Sequence, residues 1–230
     1  MRLMNGLRRA ARFVWMHAGL GHLKRETDLC LDRPAELVER VFEYSRGSIR
    51  PLQIAEELAS LAAQVRQLRP RTVLEIGTAN GGTLFLWTRL ADAGATIVSI
   101  DLPGGKFGGG YPSERGIVYR RFTRSTQKLH LLRENSHDPR TRAKAVRLFG
   151  GEPIDLLFID GDHTYEGVKQ DWEQYSPLVR PGGMVVFHDI AGNYDDTQVK
   201  ELWDSIKCGC RYEEYVVDSN GYYGLGILFM

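Results

Sequence analysis

The chain has 230 residues, 43% of them hydrophobic and 26% charged, enough for one sizeable globular α/β domain with its own core. Lys and Arg number 30 against 29 Asp and Glu, so the chain as a whole has no electrostatic claim on nucleic acid. No apolar run approaches the length needed to span a bilayer.

Residues 1–25 carry Arg2, Arg8, Arg9, Arg12, Lys24 and Arg25 and no acid. On a helical wheel Leu3, Met4, Leu7, Ala10, Ala11, Val14 and Trp15 share one face and the arginines the other. Two readings follow: residues 1–16 lie on an anionic membrane as a peripheral contact, or they form an arm that packs on the body or on a second copy in a homo-oligomer. The second is the commoner use of such a helix. Arginines break the apolar stretch, which argues against a secretory signal. Cys30, Cys208 and Cys210 are odd in number and lack zinc-site spacing, so they read as reduced structural thiols of a cytoplasmic protein.

Residues 34–46 and 51–67 read as helices, the second from its stripe of Leu52, Ile54, Ala55, Leu58, Leu61, Ala62 and Val65, with Pro51 suited to its first turn. From residue 71 the pattern alternates. β-rich runs at 72–76, 96–100, 128–132, 155–160 and 183–188 are mostly separated by helical patterns at 80–93, 138–149 and 164–177. This order predicts parallel strands joined by right-handed crossovers. A last helix near 194–207 precedes runs at 212–217 and 224–230, which read as an antiparallel hairpin. The division expected is an N-terminal helical extension over 1–50 and an α/β domain over 51–230.

Residues 103–127 stand apart. Gly104, Gly105, Gly108, Gly109 and Gly110 punctuate a long connection that also carries Phe107, Tyr111, Tyr119 and Phe122. Such a segment at the carboxyl edge of the sheet reads as a lid over a ligand or as disorder.

The run Glu75-Ile76-Gly77-Thr78-Ala79-Asn80-Gly81-Gly82 is a strand, a glycine turn and a helix start, with Asn80 placed to cap the helix. Its glycine spacing, G-x-x-x-G-G, is neither a dinucleotide fingerprint nor a phosphate loop. Asp101, 24 residues after Gly77, ends the next strand, where a carboxylate can accept from both ribose hydroxyls. Glu134-Asn135-Ser136 follows the third strand, where polar groups can read an adenine edge. A ribose carboxylate and an adenine-edge group without a phosphate site fit S-adenosylmethionine. The candidate cofactor residues are Glu75, Gly77, Thr78, Asn80, Gly81, Asp101, Asn135, Ser136 and Asp160.

Asp160 ends the fourth strand and Asp189 follows the fifth, so neighbouring strands bring two carboxylates to one edge. His163, three residues after Asp160, has an ordinary pKa suited to taking a hydroxyl proton, and with Asp160 forms the candidate catalytic pair. His17, His22, His130 and His137 have no comparable setting, and Trp172 and Tyr175 read as core.

Over residues 50–230 the chain resembles class I S-adenosylmethionine-dependent methyltransferases. Leu178 to Val186 is similar to that fold's turn into its fifth strand, and the final hairpin to its reversed seventh strand. More specifically, Phe158 to Val168, Phe187-His188-Asp189-Ile190 and Ser48 to Gln53 resemble the cephalosporin-hydroxylase-like family and related sugar and macrolide O-methyltransferases. The resemblance implies a Rossmann-like, doubly wound, mostly parallel seven-stranded sheet, and His163 as base. It also implies a metal triad at Asp160, His188 and Asp189. Relatives with a metal site carry a carboxylate where this chain has His188. Hard oxygen ligands suit Mg²⁺, whereas an imidazole among carboxylates suits Mn²⁺, Fe²⁺ or Zn²⁺.

The expected activity is O-methylation of a hydroxylated small molecule, a sugar or natural-product scaffold, with metal assistance. Two rivals stay open: a cofactor-binding accessory subunit of a hydroxylase or other modification complex, and a membrane-docked methyltransferase of a lipid or glycan.

Overall fold

The computed structural model describes residues 19–44, 48–105, 110–124, 126–192, 197–217 and 221–230. The proposed arm at 1–16 lies outside these, as does most of the expected turn at 218–221. Seven strands form one sheet: β1 (Thr72–Ile76), β2 (Thr96–Ile100), β3 (Lys128–Leu132), β4 (Ile154–Ile159), β5 (Val179–His188), β6 (Arg211–Tyr215) and β7 (Leu225–Phe229). Their order is β3-β2-β1-β4-β5-β7-β6. The first five are parallel, and β7 runs antiparallel to both β5 and β6.

Strand alternation splits the core in two. Val73, Ile97, Leu156, Phe158 and Val186 face one hydrophobic cluster, and Leu74, Val98, Leu157, Ile159 and Val185 face the other. The first cluster is covered by α1 (19–28), α2 (Pro34–Glu43), α3 (Ala55–Leu68), α4 (Gly82–Leu90) and α5 (Arg115–Tyr119). The second is covered by α6 (Pro139–Leu148), α7 (Tyr165–Tyr175) and α8 (Val199–Ile206). The buried Leu20, Leu23, Leu37, Val38 and Val41 belong to the first cluster, so the helices before residue 50 share a core with the sheet. Arg89 of α4 is fully buried, donates to Asp28 of α1 at 2.9 Å and to the Phe122 carbonyl, and burial lowers its pKa to about 10.

Three expectations change here. Pro51 does not open a helix: α3 begins at Ala55, and residues 49–51 lie against α4. A Cβ on Gly82 would come within 2.3 Å of the Ile49 carbonyl, so only glycine admits this strap. The glycine-rich connection contains α5, and its Tyr111, Tyr119 and Phe122 are core residues, their rings packed edge-on or tilted at 4.9–5.1 Å. Phe107 lies outside the described residues. Finally, β5 begins at Val179, four residues earlier than expected, with a register irregularity against β4 between Ile154 and Leu156.

The register positions the site. Ile76 pairs with Ile100 and Ile159, so Gly77, Asp101 and Asp160 leave the sheet side by side. Ile159 pairs with Phe187, which sets Asp160 level with His188.

Candidate active site

A cavity of about 190 Å³ opens at the carboxyl edge of β1, β2 and β4. Gly77, Asp101, Asn135, Ser136, His137 and Asp160 line it. Gly77 takes φ +90°, and a Cβ there would sit 1.8 Å from the Asp160 carbonyl oxygen. Asp101 Oδ2 accepts from the amides of Thr78 (2.8 Å) and Ala79 (2.9 Å), which ties the glycine turn to the end of β2. Burial raises the Asp101 pKa against the opposing pull of these amides.

A second, smaller cavity lies between the strap and the start of α4. It is lined by Arg50, Gln53, Thr78, Asn80 and Thr83 and shares Gly77, Ala79 and Asp160 with the first. Asn80 does not cap α4: the N-cap is Gly81, without a side-chain bond. Instead Asn80 accepts from Arg115 of α5 at 3.1 Å and donates to the Arg50 carbonyl at 3.4 Å, joining three segments. Thr78 is buried and hydrogen-bonds the Ser99 hydroxyl. Glu75 lines neither cavity. It is completely buried beneath the turn, accepting from Thr83 (2.7 Å) and Trp87 (2.9 Å), and burial pushes its pKa up to about 8.

At the edge of β4 and β5 two carboxylates and two imidazoles meet. His163 places Nε2 3.5 Å from Asp160 Oδ1 and Nδ1 3.3 Å from Asp189 Oδ2. His188 places Nδ1 3.1 Å from Asp160 Oδ1 and 3.2 Å from Asp189 Oδ1, and its ring stacks on Tyr223. Burial disfavours the charge on both histidines, but the facing carboxylates outweigh it; His163 is raised and His188 is raised to about 10. Asp189, 1% exposed, holds a strained φ of +63°. Neither of its oxygens has an aligned hydrogen bond among the described residues, despite the nearby imidazoles.

The donor atoms that lie within 4.8 Å of one another belong to Asp160, His163 and Asp189. Two carboxylates, one imidazole and the under-bonded Asp189 oxygens fit a divalent cation. His188, expected in this triad, instead bridges the two carboxylates through Nδ1.

Solved structures share this architecture at low sequence identity. An O-methyltransferase from Bacillus cereus in complex with SAH aligns with a TM-score of 0.55 and 17% identity, covering 86% of this chain and 90% of that one. The MycE methyltransferase of the mycinamycin biosynthetic pathway, in complex with Mg, SAH and mycinamycin VI, aligns with a TM-score of 0.55 and 18% identity over 84% of this chain and 53% of that one. Residues 74–190, just over half of the chain, match the family described as a methyltransferase domain. The chain belongs to this methyltransferase family. The matched span runs from within β1 to just past Asp189 and so contains the described lining of the first cavity and the carboxylate cluster, while the 50–53 side of the second cavity lies outside it. An uncharacterized protein of Sinorhizobium fredii, y4gI, is 31% identical over 149 residues, 62% of this chain and 16% of that protein. The alignments span 16% of the length of the curated relatives that the methyltransferase matches.

The methyltransferase holds site residues that its sequence did not announce. His137 lines the first cavity with Nε2 3.4 Å from the fully buried Asp171 of α7, a carboxylate whose proximity raises the His137 pKa. Tyr119 donates to the Ala79 carbonyl at 2.9 Å and so supports the glycine turn from below. Gln53 donates to Asp160 Oδ2 at 2.7 Å from 107 residues away. His137 and Tyr119 sit in no motif position, and although Gln53 ends the Ser48–Gln53 stretch that carries part of the resemblance, nothing there marks its contact with Asp160. The three cysteines are unpaired. No helix among the described residues is long and apolar enough to cross a membrane.

Proposed function

We propose that the methyltransferase moves the methyl group of S-adenosylmethionine to a hydroxyl oxygen of a small molecule, a sugar or natural-product scaffold, in the cytoplasm. The observation that carries this reading is His163, seated between Asp189 and Asp160, the latter a residue that lines the first cavity. In the reaction an oxygen–carbon bond forms, the carbon–sulfur bond breaks and the hydroxyl proton must leave.

Asp101 receives the ribose and Glu134, Asn135 and Ser136 the adenine edge, while Gly77 lets the ligand approach the backbone. The facing carboxylates make His163 a stronger base than a free imidazole and stabilise the imidazolium it becomes. His188, bridging the same carboxylates, holds them in place. Replacing His163 with alanine is expected to lower kcat roughly 10²–10⁴-fold while S-adenosylmethionine still binds. Equal turnover by the variant would remove His163 as base.

The donor set favours a second reading of the same cluster, in which Asp160, His163 and Asp189 hold a divalent metal, Mg²⁺ or Mn²⁺. Such a metal would lower the pKa of the acceptor hydroxyl. His163 cannot serve as ligand and base at once, so chelation separates the readings: activity that survives EDTA supports the base, and activity lost to EDTA and restored by Mn²⁺ supports the metal.

The direct test of the cofactor is calorimetric titration with S-adenosylmethionine. Asp101→Ala is expected to weaken binding by roughly tenfold or more, the loss of hydrogen bonds to a charged group. A folded wild-type chain that binds nothing would end the proposal.

A further inference from the structure

Gln53 is 5% exposed, yet it stands on the strap, outside every helix and strand, and reaches the reaction centre. Its Nε2 donates to Asp160 Oδ2 at 2.7 Å. The opposite carboxamide orientation would press a carbonyl oxygen against a carboxylate, so chemistry fixes which end faces Asp160. Asp160 Oδ1 is thereby left to face His163 and His188. Gln53 Oε1 is buried and has no hydrogen-bond partner among the described residues.

A buried carbonyl without a donor is costly. Ile49 is fully buried and Pro51 lies against the start of α4 where Gly82 leaves room. Gln53 lines the second cavity, which meets the first at Gly77, Ala79 and Asp160. The second cavity has about 10 Å³ of free space, room for one small polar group, so a ligand whose nucleoside part fills the first cavity can place one such group beside Gln53 and Asp160. A carbonyl oxygen and a carboxylate side by side are a receptor for a cationic amine, not for an anion.

We propose that Gln53 is a positioning residue that ties occupancy of the second cavity by a cationic amine to the orientation of Asp160. Oε1 accepts from the α-ammonium at the amino-acid end of the cofactor, and Nε2 holds the carboxylate that the reaction uses. Filling one face of the carboxamide stiffens the other, so the centre is ordered when the cofactor is in place. This rests on the S-adenosylmethionine reading above.

The test compares two ligands in calorimetric titrations of the full chain: S-adenosylhomocysteine, which carries the ammonium, and 5′-methylthioadenosine, which lacks it. Gln53→Met keeps the side-chain volume and removes both hydrogen bonds. It is expected to weaken S-adenosylhomocysteine roughly tenfold to a hundredfold, as one charge-assisted hydrogen bond requires, and to leave 5′-methylthioadenosine unchanged. In the background of Asp160→Ala the Gln53→Met loss should shrink, because the two residues act as one unit. If Gln53→Met does not fold, Gln53→Asn, which is too short to reach either partner, provides the same comparison. Equal weakening of both ligands would reduce Gln53 to a structural residue and overturn the inference, as would no weakening of either. A wild-type chain that binds neither ligand would instead overturn the cofactor reading, and this inference with it.

Discussion

Gly77→Ala is expected to destabilise the methyltransferase by more than about 4 kcal/mol and to abolish cofactor binding. Two costs combine. Alanine at φ +90° is strained by roughly 1–2 kcal/mol, since the Cβ meets its own backbone. The larger cost is external: that Cβ would lie 1.8 Å from the Asp160 carbonyl oxygen, so β1 and β4 must part at the point where the two cavities meet. Gly150 is the natural control. It holds a similar φ of +68°, but a Cβ there meets nothing within 4 Å. Gly150→Ala should therefore cost only the local strain, roughly 1 kcal/mol. Urea unfolding of both variants measures the difference. If they lose the same stability, the close approach of Gly77 to Asp160 does not constrain the fold.

The second large effect is a stability that depends on pH through Glu75. Burial raises its pKa to about 8, whereas in the unfolded chain it titrates near the ordinary glutamate value of 4.5. Between those values the folded chain holds a proton that the unfolded chain has lost, so stability falls as pH rises. The contribution is complete below about pH 4.5, declines through about pH 8 and is then gone. Over that window the wild type should lose on the order of 4 kcal/mol relative to Glu75→Gln, which cannot ionise. Thr83 and Trp87 can still donate to the Gln carbonyl, so the variant should differ little from wild type at pH 5. Denaturation midpoints at several pH values test this directly. Parallel curves for the two proteins would mean that Glu75 is not held as the neutral acid.

Much of this architecture was legible because strands buried on both faces are largely apolar runs. Val73–Ile76, Ile97–Ile100 and Leu156–Ile159 are broken only by Glu75 and Ser99, and each is followed by a residue that lines the first cavity. The positions of Gly77, Asp101, Asp160 and Asp189 follow from that alternation. What lay hidden depends on contacts between distant segments. The five-residue α5 sits among glycines that read as loop, and only its packing against α4 and the turn makes Tyr119 a core residue. Pro51 resembles a helix start, but its ring packs on Gly82 and the chain stays extended until Ala55. Asn80 has the side chain of a cap, yet Arg115 and Arg50 claim it. His137 shows no local sign of Asp171, which lies a helix away. Glu75, grouped with the cofactor residues by position, alternates to the face beneath the turn.

The Arg89–Asp28 pair bears on where the chain tolerates shortening. A version begun after α1 would retain all seven strands, both cavities and the carboxylate cluster. It would also strand a guanidinium inside the protein with its counter-ion cut away, a penalty that commonly reaches 3–5 kcal/mol. The usable N-terminal limit of the fold is therefore set by the acid that answers Arg89, well ahead of the first residue that lines either of the two cavities.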